Sequence, residues 1–345
     1  MKIHILTNDG SPLGCSLATL MGTEPDYMGC GGAELALLTM CEAWHKRGDE
    51  VVLFNDPRPT ASSPFEQRTI NSFDPNEKCD VLIVFRSPNH RIVGAKADTT
   101  IWWSCDQFTV SDFRAFRLLV DKVVLISPTH DNYFRTNYGI TDGIVIDLPV
   151  RVWEYENRGI EKVKNRFIFT SVPARGLNTM LEIWPRIKQE IPDASLVITS
   201  DYRLWNCGRG NELFMAKAFG LDGVTYLSAV PRPRLVEEQL KAELNVYTCN
   251  YEELFCIAIA ESQVAGSYTI TPQIGALKTT NMNMFVHDDP ETPQGKNTFV
   301  TSVIWACNEE RELVRGFTEA SSNKAKARFH PDRILAEWDR LVFNK

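Results

Sequence analysis

Short apolar, β-branched runs alternate with amphipathic stretches along most of this 345-residue chain. Strand-like runs fall at 2–7, 51–54, 80–85, 100–103, 122–126 and 144–148, and again at 166–171, 195–200, 224–227, 244–248 and 267–271. Helical patterns separate them at 32–47, 128–137, 176–190, 210–220, 232–242 and 254–265. Apolar strands joined through helices read as parallel sheets covered on both faces. Two sets of five or six strands are long for one core. The pattern therefore predicts an α/β chain with two Rossmann-like domains. Their boundary is expected near 149–165, where Pro149, Asn157, Arg158, Gly159 and several charges interrupt the strands. A terminal helix is expected from Pro331 through Phe343, with Ile334, Leu335, Trp338, Leu341 and Val342 on one face.

Composition narrows the function classes. No run of eighteen apolar residues occurs, so no spanning helix is expected, and Met1–Thr7 reads as a buried strand rather than a signal peptide. The nine cysteines are odd in number and form no CxxC pair. They suggest reduced thiols and a cytoplasmic protein rather than a disulfide framework or a zinc site. Residues 1–150 carry 13 Lys and Arg against 19 Asp and Glu, and the whole chain has a net charge of −7. An acidic first half argues against nucleic acid or an anionic membrane as the main partner.

The segment Glu253-Leu254-Phe255-Cys256-Ile257-Ala258-Ile259-Ala260-Glu261 carries the clearest chemistry. On a single helix, residues eight apart lie about 80° apart around the axis. Placing Glu253 in a loop and Glu261 two turns into a helix lets both face one ligand. The run from Phe255 would pack the helix on a sheet, and the N–H groups at its start, around Cys256 and Ile257, suit phosphate. An ordinary buried helix with two surface acids has the same spacing. Gly31-Gly32-Ala33-Glu34 opens another helix, and glycines there let phosphate or sugar approach the backbone closely. Glu34 also fits a capping carboxylate, and the long loop 8–30 before it is of a kind that often carries function. Arg175 follows a strand and precedes Gly176 at the carboxyl edge of the second sheet, where ligands of open α/β sheets sit. Ile101-Trp102-Trp103-Ser104-Cys105-Asp106 ends another strand; the two Trp read as packing and Asp106 as a hydroxyl binder. His4 reads as a satisfied core histidine and His130 as a surface helix residue. The loop holding Gly275, Ala276 and Leu277 follows the strand at 267–271 and would offer backbone N–H groups to a donor.

Taken together these motifs resemble the family 4 retaining glycosyltransferases of the GT-B fold. The Glu-x7-Glu segment carries the resemblance. So do Phe167 through Leu177, Trp184-Pro185, Pro192-Asp193-Ala194, and Leu227 through Pro231 with the helix after it. The likeness covers about residues 167–280, with Gly31-Gly32-Ala33-Glu34 matching in the first half. It implies two Rossmann-like domains facing across a cleft: an acceptor-side domain over 1–150 and a nucleotide-sugar domain over 151–330. It also implies that residues 331–345 cross back to the first domain.

The implied donor site comprises Gly31, Gly32, Arg175, Glu253, Phe255, Cys256, Ile257, Glu261, Gly275, Ala276 and Leu277, with Arg175, Glu253 and Asp106 as catalytic residues. Glu261 would hold the ribose, Glu253 the transferred sugar, and Arg175 the departing diphosphate, with Arg175 and Glu253 on opposite sides of the donor. The resemblance implies that the anomeric configuration is kept, and since no carboxylate is spaced as a nucleophile, same-face attack is the expected route. The family's Lys is Arg175 here, and Thr170 and Ser171 stand where a second basic residue is usual. Arg203, Arg209 or Lys241 would have to supply that second cation. Cys105 occupies the place of the family's His, and a thiol can neither carry its charge nor donate strongly. The implied donor is a UDP or GDP sugar, with no other cofactor and no metal. The acceptor would be a glycan, a lipid-linked group or a small molecule. A nucleotide-sugar epimerase or hydrolase and a non-catalytic sugar-nucleotide binder share the same residues.

Overall fold

The computed structural model describes residues 1–7, 16–17, 29–58, 62–205 and 210–344. The chain divides into two compact units, Met1–Pro149 with Phe329–Lys345, and Val150–Arg328. Among the described residues no helix is long and apolar enough to cross a membrane.

The first unit holds a seven-stranded sheet in the order β3-β2-β1-β4-β5-β6-β7. Its strands are β1 (Lys2–Leu6), β2 (Glu50–Phe54), β3 (Glu66–Arg68), β4 (Cys79–Phe85), β5 (Ala97–Trp103), β6 (Lys122–Leu125) and β7 (Gly143–Val145). All neighbours pair in parallel. The strand order reverses between β1 and β4, so the loops leaving them part and open a crevice at their carboxyl ends. Leu6, Val52, Val84, Trp102, Val123 and Leu125 are buried in one core cluster. His4 is also buried, yet among the described residues neither ring nitrogen has a hydrogen-bond partner, and Nε2 lies 3.6 Å from Glu77. It is a core histidine without the satisfaction expected of it.

The second unit holds a six-stranded parallel sheet in the order β10-β9-β8-β11-β12-β13. The strands are β8 (Val163–Phe169), β9 (Ser195–Ile198), β10 (Val224–Tyr226), β11 (Ala242–Val246), β12 (Tyr268–Pro272) and β13 (Met284–Val286). Here the order reverses between β8 and β11. Phe167, Phe169, Leu196, Ile198, Leu244, Val246 and Ile270 fill the core with Trp184 and Phe299 from flanking helices.

Each sheet has one strand more than the hydrophobic pattern predicts. β3 and β13 are three-residue edge strands, β3 the polar Glu-Gln-Arg and β13 the apolar Met-Phe-Val; three residues are too few to show a period-2 signal. The helices Phe113–Arg117, Leu277–Thr280, Pro293–Ile304 and Arg311–Arg328 were likewise not anticipated.

The terminal helix Pro331–Trp338 packs inside the first unit against the helix Gly32–Lys46. Trp338 is fully buried, its ring 5.3 Å from Trp44 and 5.2 Å from Trp103 in edge-to-face geometry. Arg47 pairs with Asp339 at the edge of this cluster. Trp338→Ala removes the central ring and leaves a cavity. The expected loss is about 3–5 kcal/mol of unfolding free energy, read by denaturant titration, with Trp338→Phe costing less.

Candidate functional site

In the second unit, the loops leaving β8 and β11 meet backbone to backbone. Gly176 has φ +96°, and a Cβ on it would fall 2.3 Å from the Thr248 carbonyl oxygen. The Thr248 hydroxyl donates to Gly176 O at 2.7 Å. The loop after β12 closes in the same way. Gly275 has φ +49°, and a Cβ there would lie 2.6 Å from Glu253 O, to which Ala276 N donates at 2.7 Å.

This frame brings Arg175 and Glu253 into contact. Arg175 Nε stands 3.4 Å from Glu253 Oε1. Its guanidinium carbon lies 3.4 Å from the centre of the Tyr251 ring, a cation–π contact. The two residues therefore form an ion pair. Tyr247 donates its hydroxyl hydrogen to Glu253 Oε1 at 2.7 Å, so Ser171, whose Oγ lies 3.2 Å from the Tyr247 hydroxyl oxygen, must donate to the tyrosine. Burial raises the Glu253 carboxyl above its ordinary value, against the pull of the Arg175 charge and the Tyr247 hydroxyl. Burial works against the Arg175 charge, but Glu253 leads the neighbours that raise it overall.

The helix after Glu253 runs Ile257–Val264, three residues later than its sequence pattern suggests. Phe255 is buried ahead of it, and Cys256 caps it in the left-handed region with φ +68°. Such a φ is uncommon outside glycine. Burial pushes the Cys256 thiol far up. Ile257 and Ala258 begin the helix, where the first N–H groups have no intrahelical acceptor. Ala276 and Leu277 are fully buried, and Leu277 starts a helix of only four residues.

Glu261 lies one turn into its helix rather than two, and it is 3% exposed. Its carboxylate accepts from Arg232 Nη1 at 2.6 Å and from Gln239 Nε2 at 3.1 Å. Arg232 also donates to Glu154 at 2.6 Å and to the Tyr155 hydroxyl at 3.0 Å. Glu253 and Glu261 thus have separate partners, and among the described residues none is shared between their side-chain hydrogen bonds. Two of the cations considered for the diphosphate are committed elsewhere: Arg203 to Asp201 and Ser228, Lys241 to Glu237. Arg209 lies outside the described residues.

Asp201 was not anticipated. It is fully buried just after β9 and accepts from Arg203 N at 2.8 Å and Nε at 2.7 Å, from the Ser228 hydroxyl and from Ala229 N at 3.3 Å. It ties the loop after β9 to the loop after β10. Burial favours its neutral form, but these donors outweigh that and hold it well below the usual carboxylate range.

In the first unit, Gly31 precedes the helix Gly32–Lys46, and a Cβ on it would lie 2.2 Å from Glu34 Oε2. Most of the loop 8–30 lies outside the described residues. Glu34 accepts from Arg86 Nη1 at 2.7 Å. Arg86 grips Asp106 through two bonds, at 2.9 and 3.0 Å. Glu34, Arg86 and Asp106 therefore meet at the carboxyl edge where the strand order reverses. Trp102 and Trp103 are buried packing residues. His130, expected at the surface, is fully buried. Its Nδ1 accepts from Ile126 N at 3.4 Å, so Nε2 carries the hydrogen and donates to Asp106 O at 3.1 Å. Burial pulls its pKa down to about 3. Among the described residues, no three His, Cys, Asp or Glu side chains converge as metal ligands.

With this geometry in hand, the solved structures decide the architecture. Sucrose-phosphate synthase from Thermosynechococcus elongatus superposes with a TM-score of 0.73 at 13% identity, covering 100% of this chain and 99% of that one. HepE from Anabaena, in complex with UDP and glucose, gives 0.69 at 13% identity with full coverage of both. The lipopolysaccharide glycosyltransferase WaaG gives 0.64 at 13%, covering 99% and 100%. The fold is that of the GT-B glycosyltransferases. At such identities the likeness speaks for the fold alone. In sequence, an uncharacterized glycosyltransferase, YqgM of Bacillus subtilis (strain 168), is 26% identical over 213 residues. That match spans 58% of this chain and 56% of the relative. No protein-family profile matches the chain.

Two outcomes follow. Gly275→Ala forces a methyl group into the Glu253 backbone, so it should perturb Glu253 and lower thermal stability more than Gly94→Ala. Gly94 also has a positive φ (+79°) but open space around it. Asp201→Asn should lose about 1–3 kcal/mol at pH 7, the scale of charged hydrogen bonds left unmade. A carboxyl whose folded pKa is depressed contributes stability above its unfolded value, and that contribution fades as pH falls toward the folded value. The stability difference between the parent protein and the Asp201→Asn variant should therefore shrink below about pH 4, as measured by denaturant midpoints across pH.

Proposed function

We propose that this chain is a retaining glycosyltransferase of the family 4 type, moving a sugar from a UDP or GDP sugar to an acceptor hydroxyl. The observation that carries the reading is the Arg175–Glu253 pair. It stands at the strand-order reversal of a nucleotide-binding type of sheet, framed by Tyr247 and Tyr251. HepE, which shares the fold, has been solved with UDP and glucose.

Arg175 would hold the diphosphate, exchanging its contact with Glu253 for phosphate oxygens that a guanidinium can bind two at a time. Charge on the leaving phosphate grows as the sugar bond breaks, so this contact would strengthen in the transition state. The start of the helix Ile257–Val264 adds N–H groups with partial positive charge. Thr170 Oγ1, buried without a partner among the described residues, is unspent hydrogen-bonding capacity where the family has its second basic residue. Glu253, released from Arg175, would accept from hydroxyls of the transferred sugar. Glu261 would reach the ribose through lone pairs that Arg232 and Gln239 leave unused. Gly31, Gly32 and Asp106 would serve the acceptor side. No chain carboxylate is assigned as a nucleophile, and retention would come from same-face attack by the acceptor.

Calorimetry with UDP and with UDP-glucose tests these assignments. Glu253→Gln removes the charge that occupies Arg175, so UDP should bind as tightly as before or more tightly, while UDP-glucose weakens and transfer slows. Arg175→Ala should weaken both ligands by about tenfold or more, the scale of a charge-assisted hydrogen bond. Equal losses of both ligands in both variants would sink the separate sugar and phosphate roles. Glu261→Gln, which keeps an acceptor for Arg232, should weaken UDP itself; unchanged UDP affinity would count against the ribose contact.

A further inference from the structure

At the opposite end of the second unit, a cavity of about 420 Å³ lies beside the amino ends of the strands. Lys162 just before β8, Glu243 at the start of β11 and Gly266 just before β12 line it, and the helix Arg311–Arg328 forms its far wall. Parallel strands fix its distance from Arg175 and Glu253. Six or seven residues of strand separate the two edges, roughly 20 Å at the rise of a β-strand. The volume falls in the range of sites that enclose small molecules, about 300–1,000 Å³.

Its charge differs from that of the chain. Lys162, Arg311, Arg315 and Lys326 line it with Glu243 and Glu319, and Arg315 is paired with Glu312, in a protein whose net charge is −7. Glu243 is taken by Arg311 and also accepts from Asn165 N at 2.7 Å. Lys162 has no carboxylate partner among the described residues. Its ammonium hydrogens are taken by the carbonyl oxygens of Ala242 at 2.7 Å, Ala265 at 2.8 Å and Gln239 at 3.3 Å and by the Ser267 hydroxyl at 3.3 Å, so it acts on a ligand through its charge. Lys326 is half-buried, with no hydrogen bond or ion pair among the described residues, and it is close enough to Lys162 for the two charges to oppose each other. Burial and that like charge pull Lys162 down to about 7, against the opposing pull of Glu243. Two ammonium groups beside a part-enclosed space, with the nearest carboxylate already spent, are relieved by a bound anion.

We propose that this cavity binds a small organic phosphomonoester, its anionic head on Lys326, near the charge of Lys162, and its carbon skeleton along Leu244, Ala306 and Val314. A phosphate head supplies the anionic partner that Lys326 lacks among the described residues. The apolar wall and a volume well beyond that of one phosphate call for a ligand with a body. The side chains of Thr318 and Ser322 line the same space and suit hydroxyls on that body. The proposal stands apart from the transferase reading, because no residue of the donor site takes part.

The test is calorimetry of the full chain with glycerol 3-phosphate and, separately, inorganic phosphate, at constant ionic strength set with chloride. Glycerol 3-phosphate should bind one site more tightly than inorganic phosphate. Lys326→Ala should weaken it about tenfold or more, as expected for a lost charge-assisted contact. Lys326→Arg should retain most of the affinity, and Arg175→Ala should leave it unchanged. Loss in Arg175→Ala with retention in Lys326→Ala would assign the phosphate to the donor site and overturn the proposal. Equal affinity for the two probes would reduce the site to an inorganic-anion site and overturn the ligand class. Absence of binding would overturn it outright. UDP binding is measured on the same samples, so failure of the transferase reading would show separately.

Discussion

Loop backbones in direct contact, with no side chain between them, set the geometry at the carboxyl edge of the second sheet. Gly176 against Thr248 and Gly275 against Glu253 leave no room for a Cβ, and both glycines adopt a positive φ that other residues rarely take. Three loops from three strands are therefore fixed relative to one another by main-chain contacts. Side chains on such a frame inherit its rigidity, so Arg175 and Glu253 meet because their backbones are held and not because each loop finds the other by chance. Cys256 extends the same logic at some cost. A non-glycine residue in the left-handed region gives up about 1–2 kcal/mol, and the surrounding burial of Phe255, Ile259 and Ala260 keeps it there. Strain of this kind collects where a structure must hold a particular shape for a ligand.

The two strand-order reversals bring together different sets of charges. In the second unit, Arg175 and Glu253 make one cation and one anion, which satisfy each other until a ligand competes. A diphosphate suits that arrangement because it can replace the carboxylate on the guanidinium and leave the carboxylate for hydroxyls. In the first unit, Arg86 serves two carboxylates, Glu34 and Asp106, and the balance is one negative charge in excess. Phosphate would be repelled there, whereas a hydroxyl could donate to either acid. The neutral His130 fits this picture: its ring supports the Asp106 backbone and brings no charge to the edge.

The long-period features of the fold were legible in the sequence, because alternating apolar runs and helical stretches report burial directly. The Glu-x7-Glu segment and Arg175 could be found because their chemistry lies close together in the chain. What escaped was set by tertiary contact. Arg86 ends an ordinary apolar strand, and its partners are 52 and 20 residues away, so no local pattern marks it. Asp201 likewise draws its donors from residues 203, 211, 228 and 229. Tyr247 follows β11 and reads as one more apolar residue until its hydroxyl is seen on Glu253. The left-handed turn at Cys256 was hidden for a different reason. Sequence favours glycine for such a φ, and a cysteine in an apolar run reads as helix, which moved the predicted start to 254.

The ion network around Glu261 limits what that residue can mean. Arg151, Glu154, Arg232 and Glu261 alternate in sign, and Arg232 sits between the two acids with both bonds at 2.6 Å. Buried pairs of this kind are weak evidence for net stability, since desolvation offsets much of the attraction, but removing one partner leaves an uncompensated charge. An alanine in place of Glu261 would strand Arg232 in the interior and destabilise the unit whether or not a ribose is ever bound there. Loss of activity in such a variant would report the network, not the ligand. The network also ties the helix Ile257–Val264 to the short turn Val152–Tyr155, which opens the second unit just after its boundary at Val150. The position of Glu261 is thus fixed from two sides, by its own helix and by the first residues of its unit. A substitution that keeps an acceptor for Arg232, as glutamine does, separates scaffold from contact better than alanine.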